Sequence, residues 1–267
     1  MDLTDVAELK ERILKTEVEY PRYLASWQET EYGMLFWAED DKENPNLNHA
    51  LLYPEQIQDF GKVLENITSF YLEKGIQPRV QQPYTSGYFM EHADEFRING
   101  FDVQLYAPTE FMLLTGENRI RTSRTLEIRE LKEWDPRIAR DILIPDGNGY
   151  VAGQVRRSIE NDRYRVLVGY LQDHAVSMVT IFYGDYGLAR LSSAETAEEL
   201  RGRGYARELI SAIVEMHRAE SALPVYLWPQ NVTAARIFRE AGFEEIFQEE
   251  LARAVYNRSN GEGETHD

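Results

Sequence analysis

The stretch that most constrains this chain is Arg201-Gly202-Arg203-Gly204-Tyr205-Ala206. It follows an apolar, strand-like run from Leu188 to Thr196 and opens a helical pattern from Tyr205 to about Arg218. Two glycines among four residues permit a tight turn and remove side chains that would block a ligand. The free N–H groups of a helix start, and the positive end of its dipole, point into such a turn. Arg201 and Arg203 add two cations. This combination predicts a pyrophosphate cradle. Two familiar phosphate loops are excluded. The chain has no G-x-x-x-x-G-K-[ST], and the position three after Gly204 is Arg207, so the three-glycine dinucleotide fingerprint is absent too.

What surrounds the loop is an ordinary globular chain of 267 residues, long enough for two domains. With no cysteine it has no disulfide, thiolate metal site or cysteine nucleophile, which agrees with a reducing cytoplasm. Met1 to Asp5 shows no leader pattern, and no apolar run approaches the ~18 residues of a membrane span. The expected location is therefore cytoplasmic. Net charge is −17, and 12 of those negative charges fall in residues 1–120. So acidic a surface argues against nucleic acid and anionic membranes as partners and favours a cationic one, such as an amine. Solubility or salt adaptation would account for the same charge. Monomer and homodimer both fit the sequence.

Periodicity predicts an α/β (α+β) chain. Helices are expected at 4–15, 54–74, 89–99, 136–142, 150–159, 205–218 and 231–241. Strands are expected at 33–37, 49–53, 79–81, 101–114, 126–131, 165–171, 175–183, 188–196, 224–228 and 243–256. A polar, basic stretch at 115–124 sets the expected boundary. The domains are then 1–118 and 119–256, with 257–267 as a polar, glycine-containing tail.

The loop fits [RQ]-x-x-G-x-[GA] through Arg201, Gly204 and Ala206, and this resembles the coenzyme A loop of the GNAT superfamily of N-acetyltransferases. A second piece runs from Asn231 through Ala234-Ala235, Ile237-Phe238 and Glu240-Ala241-Gly242-Phe243. It is similar to the family's N-x-x-A-x-x-x-[YF]-x-x-x-G-F pattern. The two pieces lie in order, with one helix and one strand between them, and the resemblance covers about residues 126 to 256.

The resemblance implies a GNAT domain at 119–256, with a mixed, mostly antiparallel sheet flanked by helices. It implies acetyl-CoA as co-substrate, no metal, and a small primary amine as acyl acceptor. The strand before the loop and the strand after the first helix would splay apart, and the pantetheine arm would pair in the gap. Ala194, Glu195 and Thr196 would line that gap. The amides of Arg201, Gly202, Arg203, Gly204, Tyr205 and Ala206 would hold the pyrophosphate. Asn231 is either a ligand to the arm or a plain helix cap. Phe238, expected among the residues that contact the cofactor, stands where the family usually has a tyrosine acid, and it has no proton to give. The family's carboxylate positions fall near Arg190 and at Tyr226. Glu195 is then the nearest candidate base, and Tyr226 a substitute acid. The rival reading is a silent acyl-CoA-binding sensor or partner-docking module.

Residues Glu95 to Asp102 echo Ile237 to Glu244, each with a helix, a Gly-Phe pair and a strand. The first half therefore reads as a degenerate GNAT-like copy, without the cradle and without expected coenzyme A binding. The five histidines have no metal-ligand spacing, and His217 lies on an apolar helix face, as a core residue would.

Overall fold

The structure is a computed structural model that describes residues 5–82 and 87–257. In chain order the first elements are α1 (Val6–Glu19), β1 (Ser26–Thr30), β2 (Gly33–Trp37), β3 (His49–Leu52), α2 (Phe60–Glu73) and β4 (Arg79–Gln82). Next come α3 (Tyr88–Glu91), α4 (Ala93–Ile98), β5 (Phe101–Leu105), β6 (Thr109–Leu114), β7 (Glu127–Leu131) and α5 (Ala152–Ile159). Then follow β8 (Tyr164–Leu171), β9 (His174–Tyr183), β10 (Ala189–Thr196), α6 (Tyr205–Glu220), β11 (Val225–Leu227), α7 (Val232–Glu240), β12 (Phe243–Glu249) and β13 (Ala252–Tyr256). The expected fold class holds: two mixed, mostly antiparallel sheets, each with its own helices.

Local chemistry explains most element ends. Asp5 caps α1, accepting from the amides of Ala7 and Glu8. The helix expected at 54–74 is broken, because Pro54–Gln56 form a 3₁₀ turn and α2 starts after Asp59, which caps it. The expected helix at 89–99 is likewise two short pieces, α3 and α4. The expected helix at 136–142 narrows to a π-helical turn, Ala139–Leu143. Strand β1 (SWQET) was not expected, having too few apolar residues to show in the pattern.

The two compact units do not follow the boundary at 118/119. Among the described residues, one contains 5–20 and 110–248, the other 21–82, 87–109 and 249–257. In the second of these, the sheet order is β1-β2-β3-β4-β13-β5. Its core joins Leu35, Leu52, Leu64, Ile67, Phe96 and Ala254. The other unit has the order β12-β6-β11-β10-β9-β8-β7. Helices α6 and α7 pack on one face of that sheet through Leu209, Ile213 and Phe238. On α1, Leu9 and Ile13 pack with Leu188 and Tyr226. Strand β6, expected in the first domain, and β13, expected in the second, are therefore each placed in the other sheet. Pro108, which has no N–H for a ladder, separates β5 from β6, and only Glu250 and Leu251 separate β12 from β13. Residues 258–267 of the expected tail lie outside the described residues.

The echo motif has the same use in both units. Gly100 (φ 80°) receives the end of β13, where Asn257 N–H donates to its carbonyl at 2.7 Å and Tyr256 lies 2.8 Å from where a Cβ would stand. Gly242 (φ 100°) receives the segment after β6, with Gly116 N–H donating at 2.9 Å and the Gly116 oxygen 2.5 Å from a notional Cβ. Only glycine meets both demands, left-handed backbone and close approach.

Strand β13 pairs with β4 and β5 on its two edges, and Ala254 is fully buried. A chain ending at Gln248 is therefore expected to unravel the sheet of residues 21–109. Hydrogen exchange would show lost protection at 79–82 and 101–105, with protection kept at 164–183.

Candidate functional site

The site is built on a strand pair that parts. Strands β10 and β11 run parallel, and their register consists of Ala189 opposite Val225 and Arg190 opposite Tyr226. Beyond Arg190, β10 stays paired with β9 on its other edge as far as Thr196. The β11 side of residues 191–196 is thus left as an open strand edge, the kind of edge an extended ligand can join.

A bulge interrupts this edge. Ser192 faces Thr180 and Glu195 faces Met178, so β10 carries one extra residue there, with Ser193 at φ 49°. Two buried hydroxyls on β9 hold the bulge. Thr180 Oγ1 donates to the Ser192 carbonyl at 3.0 Å, and Ser177 Oγ donates to the Glu195 carbonyl at 2.7 Å. Neither was singled out in the sequence, where β9 reads as a core strand apolar on both faces. The signal was there, in two hydroxyl residues within an otherwise apolar run.

The loop at 201–206 turns sharply into α6. Gly202 (φ 78°) and Gly204 (φ 90°) are left-handed, and nothing lies within 4 Å of a Cβ built on either. Gly204 starts α6 without a side-chain cap. The first-turn amides of α6, from Tyr205 and Ala206 onward, thus open onto clear space in the field of the helix dipole. The matching helix in the other unit, α2, differs here. Asp59 Oδ1 accepts from the Lys62 amide at 2.9 Å, so its own carboxylate fills the place an anion would take.

The arginines have different roles. Arg201 folds back, its Nε 3.1 Å from the Thr196 carbonyl and its Nη2 2.5 Å from Asp146 Oδ2. It ties the end of β10 to the loop around Gly147 instead of standing as a bare cation. Arg203 is exposed and makes a 3.4 Å contact with the Glu199 carbonyl. Asp146 was not foreseen, since a Pro-Asp-Gly-Asn-Gly stretch reads as a turn and nothing more.

The other expected residues divide. Ala194 is exposed on the bulge, and Glu195 and Thr196 are half-buried beside it. Asn231 caps α7, its Oδ1 accepting from the Ala234 amide at 2.9 Å; its NH₂ donors are not used by that bond. Phe238 lies in the core. It is 5% exposed and packs edge-on against Phe243 in the core under α6 and α7. Tyr226 is fully buried, and its hydroxyl donates to Glu17 Oε1 at 2.8 Å. The same oxygen accepts from Arg190 Nε at 2.7 Å, and Glu17 Oε2 accepts from Arg190 Nη2 at 3.1 Å. Glu17, on a helix expected to belong to the other domain, therefore meets both positions where the resemblance places a carboxylate. His217 is 3% exposed and bonded to the Leu223 carbonyl, and burial holds its pKa below the ordinary value. Among the described residues no group of His, Cys, Asp and Glu is arranged to hold a metal, and no helix is long and apolar enough to cross a membrane. A groove of about 310 Å³ between Gly116–Arg119 and Arg239–Glu245 lies at the far end of α7 from Asn231 and contains none of the expected residues.

Known proteins share the fold that carries this geometry. Residues 167–252 match the family described as FR47-like protein. A GCN5-related N-acetyltransferase from Kribbella flavida superposes with a TM-score of 0.65 at 12% identity, over 92% of this chain and 94% of the other. A GCN5-related N-acetyltransferase-like protein from Streptococcus suis gives 0.54 at 11% identity, over 90% and 99%. The GCN5-related N-acetyltransferase from Sphaerobacter thermophilus gives 0.52 at 12%, over 89% and 85%. This chain has the GNAT fold. No curated protein sequence matches it. The alignments span both units.

Burial raises the Glu195 carboxyl above its ordinary 4.5, the nearby Asp146 charge raises it further, and Arg201 opposes both. The native state therefore holds this proton more tightly than the unfolded chain. The stability linked to it is full below the ordinary value and is lost as pH rises through the native one. Asp146→Asn removes the like charge and releases Arg201, so it is expected to move the Glu195 titration down. Carbon-detected NMR titration of the carboxyl reads this directly; an unchanged or raised midpoint would contradict it.

Proposed function

We propose that this chain is an acyl-CoA-dependent N-acyltransferase that moves an acetyl group from acetyl-CoA to a small primary amine. The observation that carries this reading is the juxtaposition of the parted β10–β11 edge with the uncapped start of α6. One offers main-chain partners to an extended pantetheine arm, the other a cluster of amides to a pyrophosphate.

In this reading Arg201 to Ala206 bind the pyrophosphate, with Arg203 the exposed cation of the loop and Arg201 the brace behind it. The bulge at Ser193 and Ala194 turns main-chain groups toward the gap, where an N–H can stabilise an oxyanion. The amine nitrogen attacks the thioester carbon, the C–S bond breaks, and the thiolate leaves. Glu195, poised upward by burial, takes the proton from nitrogen through water. Most of the rate comes from holding the reactants in line. The acidic composition suits a cationic acceptor. A cytoplasmic location agrees with the absence of cysteine, and neither nucleic acid nor membrane enters this proposal as a partner.

A second reading has its own support. Phe238 is in the core and the Tyr226 hydroxyl is held by Glu17, so neither position offers a proton to a departing thiolate. A module that holds acyl-CoA without turnover would need neither.

Acetyl-CoA at a hundredfold excess over its Kd is expected to stabilise the fold by about 2.7 kcal/mol. Gly204→Glu adds about 1–2 kcal/mol of backbone strain but has open space for its side chain, so it should fold and show no ligand-induced shift. Absence of a shift in the unmodified protein would remove both readings. Thiol release across a panel of amines then separates the enzyme from the silent carrier-binding module.

A further inference from the structure

The point where β10 and β11 part is held from outside the sheet. The last register pair before the gap is Arg190 opposite Tyr226. Both side chains reach the same carboxylate, Glu17 on α1, and both bond the same oxygen, Oε1. Glu17 Oε2 takes Arg190 Nη2 at 3.1 Å and lies 3.4 Å from Trp228 Nε1, one step beyond β11. The guanidinium lies 4.3 Å from the Tyr20 ring centre and 5.7 Å from that of Trp228. The Arg190 and Glu17 side chains are only 7% and 8% exposed. Burial opposes the Arg190 charge, and the Glu17 carboxylate more than offsets it, holding the pKa above the ordinary guanidinium value.

A carboxylate has about four lone-pair sites. Glu17 uses them on Arg190 twice, on Tyr226 and on Trp228. None remains for a substrate proton, which excludes Glu17 as a general base in this arrangement. What the geometry does instead is mechanical. One oxygen is shared by the last residue of each strand that still pairs, so the two side chains cannot separate without breaking a buried, charge-assisted bond. One residue further on, the main chains have no register at all.

We propose that Glu17 is a positioning residue: by bridging Arg190 and Tyr226 it fixes where β10 and β11 diverge, and so fixes the width of the gap that takes the pantetheine arm. This rests on the coenzyme A reading above and deepens it. The residue that sets the gap comes from α1, 173 positions before Arg190 in the chain.

The cleanest test is Tyr226→Phe in the full chain. It releases the β11 arm of the bridge, keeps the ring volume, and leaves the Arg190–Glu17 pair intact, so no buried charge loses its partner. Two probes are titrated by calorimetry. Acetyl-CoA carries the arm; 3′-phospho-ADP carries the pyrophosphate and lacks it. The expected result is an acetyl-CoA Kd raised about tenfold, with the 3′-phospho-ADP Kd unchanged. Glu17→Asp, which shortens the bridge but keeps the charge, should show the same selective loss. Unchanged affinity for both probes would overturn the proposal, as would an equal loss for both, which would mean general loosening. A fall in kcat with acetyl-CoA affinity intact would also overturn it, and would make Tyr226 the acid. If the unmodified protein binds neither probe, it is the coenzyme A reading that fails first.

Discussion

A sheet tends to continue pairing once it has begun, because every main-chain N–H and C=O needs a partner. The feature on which this structure depends is a strand pair that stops doing so after Arg190 and Tyr226. Several devices impose the stop. The rung itself is fastened by a buried carboxylate, and the bulge two residues on shifts the β10 register. Ser177 and Thr180 bind the bulge carbonyls from the paired side, so the distortion is locked on β9 and expressed toward β11. The short length of β11, three residues, removes any partner further along.

The two units show what makes a helix start available to an anion. Helices α2 and α6 occupy corresponding places, each between strands that pair in parallel. Asp59 turns α2 inward on itself with a carboxylate that satisfies an amide. Gly204 leaves α6 open, and positive φ at two glycines carries the chain past it without a side chain in the way. A single residue type at the cap separates a helix end closed by its own carboxylate from one left open. Arg201, which the motif presents as a phosphate ligand, stabilises the loop from behind through Thr196 and Asp146. That leaves Arg203, also exposed, as the cation with only a carbonyl contact within the loop.

Legibility followed sequence distance. Local rules identified the loop, the α6 and α7 helices, the core role of His217 and the glycine turns at Gly100 and Gly242. They missed every partner that arrives from elsewhere. Asp146 is 55 positions from Arg201, and Glu17 is 173 from Arg190. Nothing in the local pattern of α1 marks Glu17 among the other acidic residues of that helix. Phe238 was misplaced for a related reason. A motif position tells which residue stands there, not whether its ring turns toward a ligand or into the core.

The sequence by itself determined the element order, the paired helix–Gly–Phe turns and a glycine-rich helix start, because these depend on backbone freedom and short-range hydrogen bonding. Only the tertiary structure decided which sheet receives β6 and which receives β13, and which carboxylate closes the rung at Arg190 and Tyr226. Those choices are made by burial and by side chains meeting across more than a hundred residues of chain. Such encounters leave no period and no spacing for a reader of the sequence to find.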